Sequence, residues 1–346
     1  MAIQNYNLTP GRINKFKGEI IGHAMPVECL GMVGMHKQMP KNNGDTVVYR
    51  SYIPYGATTT NANTINRPLV TASAHITQEG ITPNSDTLTP RDVTVQIIQY
   101  ACLYSFSDKT YDMYEDDIPA EMKKQVGERV GLLREMIRFG VFKAGTNSYY
   151  SGGTSRGTVA QAVTYNLLSK VSRNILANHT KMPTSMLAPS ANFNTTAVEG
   201  GFIVFCHTDC EHDLRLLPNF VQVSQYGQRK PLHDMELGSV GRFRFIVSPE
   251  LASYADSGAA VGTTGLYSTS GSNIDVYPMI VFGEDAWGDV ALRGAKSLDP
   301  TFIPPGQKDK NDPLGQRGYV GTKFYDAAFI ANNGWMAVVE VGVTSL

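Results

Sequence analysis

Between residues 117 and 145 apolar positions recur at steps of three or four: Met122, Val126, Val130, Leu133, Ile137, Val141 and Ala144. At 3.6 residues per turn they form one stripe, which predicts an amphipathic helix roughly 40 Å long that buries that side. Its ends carry matching signals. Asp117 can cap the first turn, Pro119 suits that turn because the N–H it lacks would have no partner there, and Gly145 suits a left-handed stop. Gly127, Gly131 and Gly140 each weaken a helix by up to about 1 kcal/mol relative to Ala, which points to close backbone packing or curvature.

A different period governs the residues before it. Residues 45 to 55, after the turn Asn42-Asn43-Gly44, are β-branched and aromatic and predict a strand. Residues 92 to 107 alternate imperfectly (Val93, Val95 and Ile97 against Thr94, Gln96 and Ile98) and predict a second strand. Between them, residues 56 to 90 are dominated by Thr, Asn, Ser and Pro, too polar for a core and too long for an ordinary connection. A long projecting β-hairpin fits this pattern. Residues 1 to 40 mix short apolar patches with Gly, Pro and Lys and predict an extended arm, mobile or laid on another surface.

From 158 to 300 the pattern is mixed: a helix over 159 to 177, a strand over 202 to 206, a helix over 208 to 217 and strands over 243 to 247 and 276 to 282. The Ser- and Gly-rich stretch 253 to 275 predicts a rim loop. Residues 318 to 331 and 334 to 344 predict two strands, joined by Asn332-Asn333-Gly334 as a hairpin.

At 346 residues the chain is long for one compact domain, and two cores or one core with extensions is expected. Its charged fraction is 18%, below the usual quarter, which points to surface covered by partners. With 30 Lys and Arg against 31 Asp and Glu, the net charge is -1, so any contact with nucleic acid is expected to be weak and non-specific. Cys29, Cys102, Cys206 and Cys210 are too scattered for a disulfide framework, which favours a reducing cytoplasm. No signal peptide or membrane span is recognisable, so a soluble protein is expected and the Asn-x-Ser/Thr matches at Asn7, Asn178 and Asn194 count as chance.

Chemical motifs are sparse. Gly153-Thr154-Ser155-Arg156-Gly157 matches a nucleophile elbow, but the segment before it reads as loop where a strand is required. Cys206, His207, Cys210 and His212 are four candidate metal ligands within seven residues, with spacing unlike common zinc sites and no second ligand pair nearby. The competing reading has Cys206 ending a buried strand and Thr208 capping a helix, with Glu211 closing a capping box. The pairs Asp116-Asp117 and Glu284-Asp285 sit where helix or turn starts favour negative charge. No cofactor motif is present.

The order arm, projecting hairpin, long helix, mixed unit and returning strands resembles the major capsid proteins of tailed bacteriophages, an α+β architecture called the Hong Kong 97-type fold. Pro40-Lys41-Asn42-Asn43-Gly44, Glu79-Gly80-Ile81-Thr82-Pro83, Ala144-Gly145-Thr146-Asn147 and Asp312-Pro313-Leu314-Gly315-Gln316-Arg317 are similar to the branch typified by a short-tailed coliphage. The resemblance implies an N-terminal arm over 1–40, an extended loop and its base over 41–108, and a peripheral domain with a spine helix over 109–158. An axial domain over 159–297 and returning peripheral strands over 298–346 complete it. It implies a structural, non-enzymatic protein that assembles with itself, as hexamers and pentamers, into an icosahedral shell in the host cytoplasm. Scaffolding, portal and decoration proteins are further candidate partners, with packaged DNA touched weakly and no membrane or cofactor involved. Tyr55, Thr60, Asn63, Ile65, Glu79 and Ile81 are expected inter-subunit contacts, whereas Phe16 is assigned none. Two features depart from the family: a long polar segment over 58 to 76, and the Cys-His cluster. The readings weighed against it are a β-rich tail or adhesion protein and a hydrolase using Ser155 or a metal at the Cys-His cluster.

Overall fold

The computed structural model describes residues 27–40, 42, 44–53, 71–80, 87–114, 117–183, 200–225, 231–262, 264–292, 298–308 and 310–346. In chain order the elements are β1 (Met35–Met39), β2 (Thr46–Tyr52), β3 (Pro90–Gln96), β4 (Ile98–Ser107), α1 (Asp108–Met113), α2 (Ile118–Lys143), β5 (Ser148–Tyr150) and α3 (Tyr165–Ala177). There follow β6 (Phe202–His207), α4 (Glu211–Arg215), β7 (Val221–Gln222), β8 (Glu236–Val240), β9 (Phe243–Ser248), β10 (Tyr277–Phe282), β11 (Trp287–Leu292), β12 (Leu298–Ile303), β13 (Arg317–Ile330) and β14 (Met336–Val341).

Two sheets hold the cores. The seven-stranded sheet runs β5-β14-β10-β6-β9-β8-β7, and its central strands are apolar on both faces because both are covered. Phe202, Val204 and Cys206 point with Met279, Val281 and Val339 to the side of α3, where Leu168, Val171 and Ile175 meet them. Ile203, Phe205, Ile280 and Phe282 point to the other side, against Phe139 and Phe142 of α2. The five-stranded sheet runs β1-β11-β13-β12, with β4 on the remaining side of β13. Burial of α2 on that sheet unites Met122 and Val126 with Phe106 and Val320, and Val130 with Cys102 and Phe324.

Helix α2 begins as its sequence predicts: Asp117 Oδ1 accepts from the Ala120 N–H at 3.1 Å, and Pro119 sits in the first turn. The stripe through Met122, Val126, Val130, Leu133 and Ile137 faces the five-stranded sheet. It does not continue through Val141 and Ala144. Instead Glu135, Phe139 and Phe142 are buried, because the C-terminal half leaves one sheet and meets the other with a different side. Gly145 does not take the left-handed backbone expected of it. Its role is close approach: a Cβ there would overlap the Met336 methyl and stand 3.1 Å from Val338 Cγ2. Gly145→Ala should therefore cost about 1–3 kcal/mol through overpacking; a chemical denaturation midpoint unchanged from wild type would remove the close-approach account.

Four further expectations are corrected. Residues 27–40 are not a free-standing end of an arm: Cys29, Leu30, Val33 and Met39 are buried, and β1 pairs parallel with β11, over two hundred residues away, which no local pattern could signal. The strand expected over 92 to 107 is two strands. It breaks at Ile97, whose N–H bonds to Asp45 O, so that β3 stays with β2 while β4 runs along β13. The Asn332-Asn333-Gly334 segment is no hairpin, because β13 and β14 belong to different sheets; a buried 3-10 turn carries the chain between them, with Asn332 Oδ1 accepting from the Gly334 N–H. At 207–211 the cap is His207, whose Nδ1 accepts from the Asp209 N–H at 3.1 Å, and a short 3-10 turn precedes α4 in place of the Thr208-Glu211 capping box.

Candidate assembly surfaces

The β2–β3 ladder is the element whose sequence pattern and setting are least self-sufficient. Pairing from Thr46↔Gln96 to Tyr52↔Pro90 places alternate residues on opposite faces. Val47, Tyr49, Val93 and Val95 face the body and pack on Met39, Val290, Ala327 and Phe329, with the Tyr49 and Phe329 rings stacked at 5.1 Å. The base of the ladder thus lies on the face of β13 opposite to α2. Val48, Arg50, Tyr52 and Thr94 face away and are exposed, Tyr52 to 58%. Arg50 clasps Asp92 through Nε and Nη2 at 2.7 and 2.9 Å, and Asp45 accepts from Gln96 Nε2 at 2.8 Å. These bonds hold the Asp92 and Asp45 carboxyls below the ordinary range, and being fully exposed they orient the ladder more than they stabilise it. Further out, Ile76 and Leu88 are exposed to 75% and 78%. A two-stranded ribbon with apolar residues on its open face is marginal in water by itself.

Of the expected contact residues, Glu79 lies exposed in a turn, whereas Tyr55, Thr60, Asn63, Ile65 and Ile81 lie outside the described residues, as do Phe16 and the rest of residues 1–26. A second open surface lies at the far end of the five-stranded sheet. There Tyr111 and Met113 of α1 are exposed, Phe302 of β12 stacks on Phe106 at 6.4 Å, and Lys123 Nζ stands 4.1 Å over the Phe302 ring.

The chemical motifs resolve into structural roles. Cys206 and Cys210 are buried in the core beneath α3, and burial pushes both thiols well above their ordinary range, away from the thiolate that a metal binds. His207 Nδ1 is occupied by Asp209, and His212 is exposed on α4. Among the described residues no group of three or more His, Cys, Asp or Glu side chains is placed to hold a metal ion. Cys206 and Cys210 thus share the core under α3 while His212 turns to solvent, so the four cluster residues do not converge on one point. Ser155 caps a single 3-10 turn, its Oγ 3.3 Å from Thr158 Oγ1, so its neighbour is a hydroxyl where an elbow would need an imidazole. Asp117 is a helix cap, and Asp285 occupies a left-handed turn position. Among the described residues no helix is long and apolar enough to cross a membrane.

Sequence reading missed the buried ionic sites. Arg156 forks onto Glu340 at 2.8 and 2.7 Å beside the Tyr254 ring, and Arg244 forks onto Glu236 at 2.8 and 3.1 Å. Glu135 sits on the buried side of α2, accepting the N–H groups of Cys29 and Leu30 at 2.7 Å each. The signal available was a single charged residue in line with buried apolar ones, and its partners are remote in sequence.

No family model matches the chain. A major capsid protein of Pseudomonas phage KPP21 is 20% identical over 255 residues, covering 68% of this chain and 64% of that protein. The chain thus spans slightly less than two thirds of that relative's length. Solved structures align over almost the whole chain. The capsid of Ralstonia phage GP4 matches at a TM-score of 0.62 with 12% identity, covering 99% of both chains. The capsid of Helicobacter pylori bacteriophage KHP30 matches at 0.61 with 10% identity (99% of this chain, 100% of that one), and that of Cyanophage P-SCSP1u at 0.58 with 14% identity (98% and 100%). The α+β architecture built from α2, the two sheets and the projecting β2–β3 ladder is the Hong Kong 97-type fold of phage capsid proteins.

Proposed function

We propose that this protein is a major capsid protein, a non-enzymatic subunit whose copies assemble as hexamers and pentamers into the icosahedral shell around the genome of a tailed double-stranded DNA phage. The observation that carries this reading is the β2–β3 ladder: one face is anchored on β13, while the other presents Val48 and Tyr52 to solvent. A neighbouring subunit would cover that face, and a ribbon laid across a neighbour buries interface without enlarging the subunit's own core. The relative named a major capsid protein and the shared fold support the same reading. The shell would assemble in the bacterial cytoplasm and persist in the virion, with scaffolding, portal and decoration proteins as partners and weak contact to DNA. Near-neutral charge suits a container that must release its contents.

Expression of the full chain should give large closed or polymorphic shells by sedimentation and electron microscopy. A stable monomer or small dimer at high concentration, with or without a candidate scaffold, would overturn the reading. A finer test concerns residues 60 to 74, polar in sequence and inserted between β2 and β3. Replacing them with a short Gly-Ser linker should leave the circular dichroism spectrum and thermal transition of the subunit intact, since closure entropy changes slowly with loop length. Particle yield should collapse, because the lost contact recurs at every copy. Normal particles from the deletion would refute the interface role.

A further inference from the structure

Where residues 27–40 meet α2 and the five-stranded sheet, four carboxylates face two guanidiniums. Glu28 lies at the surface, but its carboxylate rests on the bare backbone of Gly131, where any Cβ would overlap it. One helical turn on, Glu135 is 1% exposed; its Oε1 holds the Cys29 and Leu30 N–H groups, while its buried Oε2 has no hydrogen-bond partner, with Arg138 Nη1 4.0 Å away. Arg138 Nη2 donates to Asp289 Oδ2 at 2.8 Å, and Asp289 Oδ1 is 2.6 Å from His36 Nδ1 on β1. Arg134 Nε is 3.5 Å from Asp326 Oδ2 on β13. The remaining neighbours are neutral: the Ser248 hydroxyl at the end of β9 donates to the Val27 carbonyl at 3.2 Å, Trp287 packs beside the cluster, and the Cys29 thiol, held well above its ordinary range first by burial and then by the Glu135 charge, hydrogen-bonds the Glu135 carboxylate.

We propose that this junction is a proton-operated clasp: its carboxylates take up a proton when residues 27–40 dock on α2 and the sheet, and the docked segment loosens when that proton leaves. A proton from solvent on Glu28 turns an acceptor-only carboxylate, seated on Gly131 one turn before Glu135, into a neutral group that can donate. It also relieves a cluster in which negative groups outnumber arginines two to one. Burial first, then the Glu135 charge, pushes the Glu28 carboxyl above its ordinary range against the pull of Arg138 and Arg134. Burial does the same to Asp326, with Asp289 adding to the rise and the same arginines opposing it. The direction follows from these signs. Groups with a raised pKa in the docked state bind more protons there, so docking is strongest at low pH and weakens as pH rises through the docked-state values. Acid therefore closes the clasp. It lies within one subunit and stands apart from the capsid reading; because the chain continues from Val27 into residues 1–26, it governs the anchorage of whatever those residues do.

Hydrogen exchange of the full-length protein, followed by mass spectrometry from below the ordinary carboxylate range up to neutral pH and corrected for intrinsic rates, reads the clasp at the Cys29 and Leu30 amides. Their protection should fall as pH rises, by about tenfold for each unit of difference between docked and free pKa. Glu28→Gln supplies a permanent N–H donor without charge, so it should hold protection at high pH near the value the wild type reaches below the ordinary carboxylate range. Asp326→Asn should reduce whatever slope remains. Amides of β10 serve as the internal standard for a folded subunit and should not follow. Protection in the wild type that is flat or rises with pH would overturn the clasp, as would an unchanged slope in both variants.

Discussion

Val130→Asp should yield no folded subunit. Val130 sits under the middle of α2 at 5% exposure, against Cys102 of β4 and Phe324 of β13, with Leu133 and Ile137 alongside. A carboxylate there is desolvated among apolar groups, a cost of several kcal/mol against a total stability of about 5–15 kcal/mol. Arg134, one turn away, is the obvious rescuer, but it lies over the Phe324 ring and pairs with Asp326, a carboxylate already held above its ordinary range by burial. Drawing Arg134 to residue 130 would leave Asp326 the orphan. Val130→Ala removes packing without adding charge and should cost only about 1–3 kcal/mol. The expected result is insoluble Val130→Asp protein beside soluble Val130→Ala protein with a lowered denaturation midpoint. A Val130→Asp subunit that stays soluble and unfolds cooperatively within about 1 kcal/mol of wild type would remove the stripe assignment.

That stripe was legible in the sequence because a helix writes its environment locally, at a spacing its own geometry sets. Asp117 and Pro119 were legible for the same reason. Elements whose meaning depends on a remote partner were not. Residues 92 to 107 look like one strand because side-chain alternation says nothing about which neighbour the backbone will take, and Ile97 marks a change of neighbour. The Asn332-Asn333-Gly334 signal marks a turn correctly, but whether the flanking strands pair depends on β10 and β4, which claim them separately. In the Cys-His cluster, proximity in sequence does not make a common centre: Cys206 and Cys210 share a core while His212 faces solvent. Much of the expected contact surface falls in segments outside the described residues. What the sequence could not display at all is the charge cluster around Glu135, whose members come from residue 28 to residue 326.

The Arg244–Glu236 pair should separate the cost of breaking a buried ion pair from the value of having one. Both residues are under 8% exposed, on adjacent strands β8 and β9, and the fork of Nε on Oε1 and Nη2 on Oε2 is closed further by the Leu232 N–H donating to Oε2 at 2.5 Å. Arg244→Met leaves the Glu236 carboxylate buried without its counter-charge and should cost about 3–5 kcal/mol. The double change Arg244→Met with Glu236→Leu removes both charges and costs the acceptor for the Leu232 N–H, about 1 kcal/mol. Stability from denaturant titration should therefore return to within about 1–2 kcal/mol of wild type. The pair's more specific contribution is register. Pairing of β8 with β9 shifts between Glu236 and Gly238, and a bidentate contact beside that irregularity fixes which residues face each other. The double variant should accordingly regain stability while amides of residues 236–240 exchange faster than in wild type. If it is instead as unstable as Arg244→Met alone, the ion pair is a net source of stability and the desolvation argument is wrong. If stability and exchange both match wild type, register is set by the apolar strands, and the pair is dispensable.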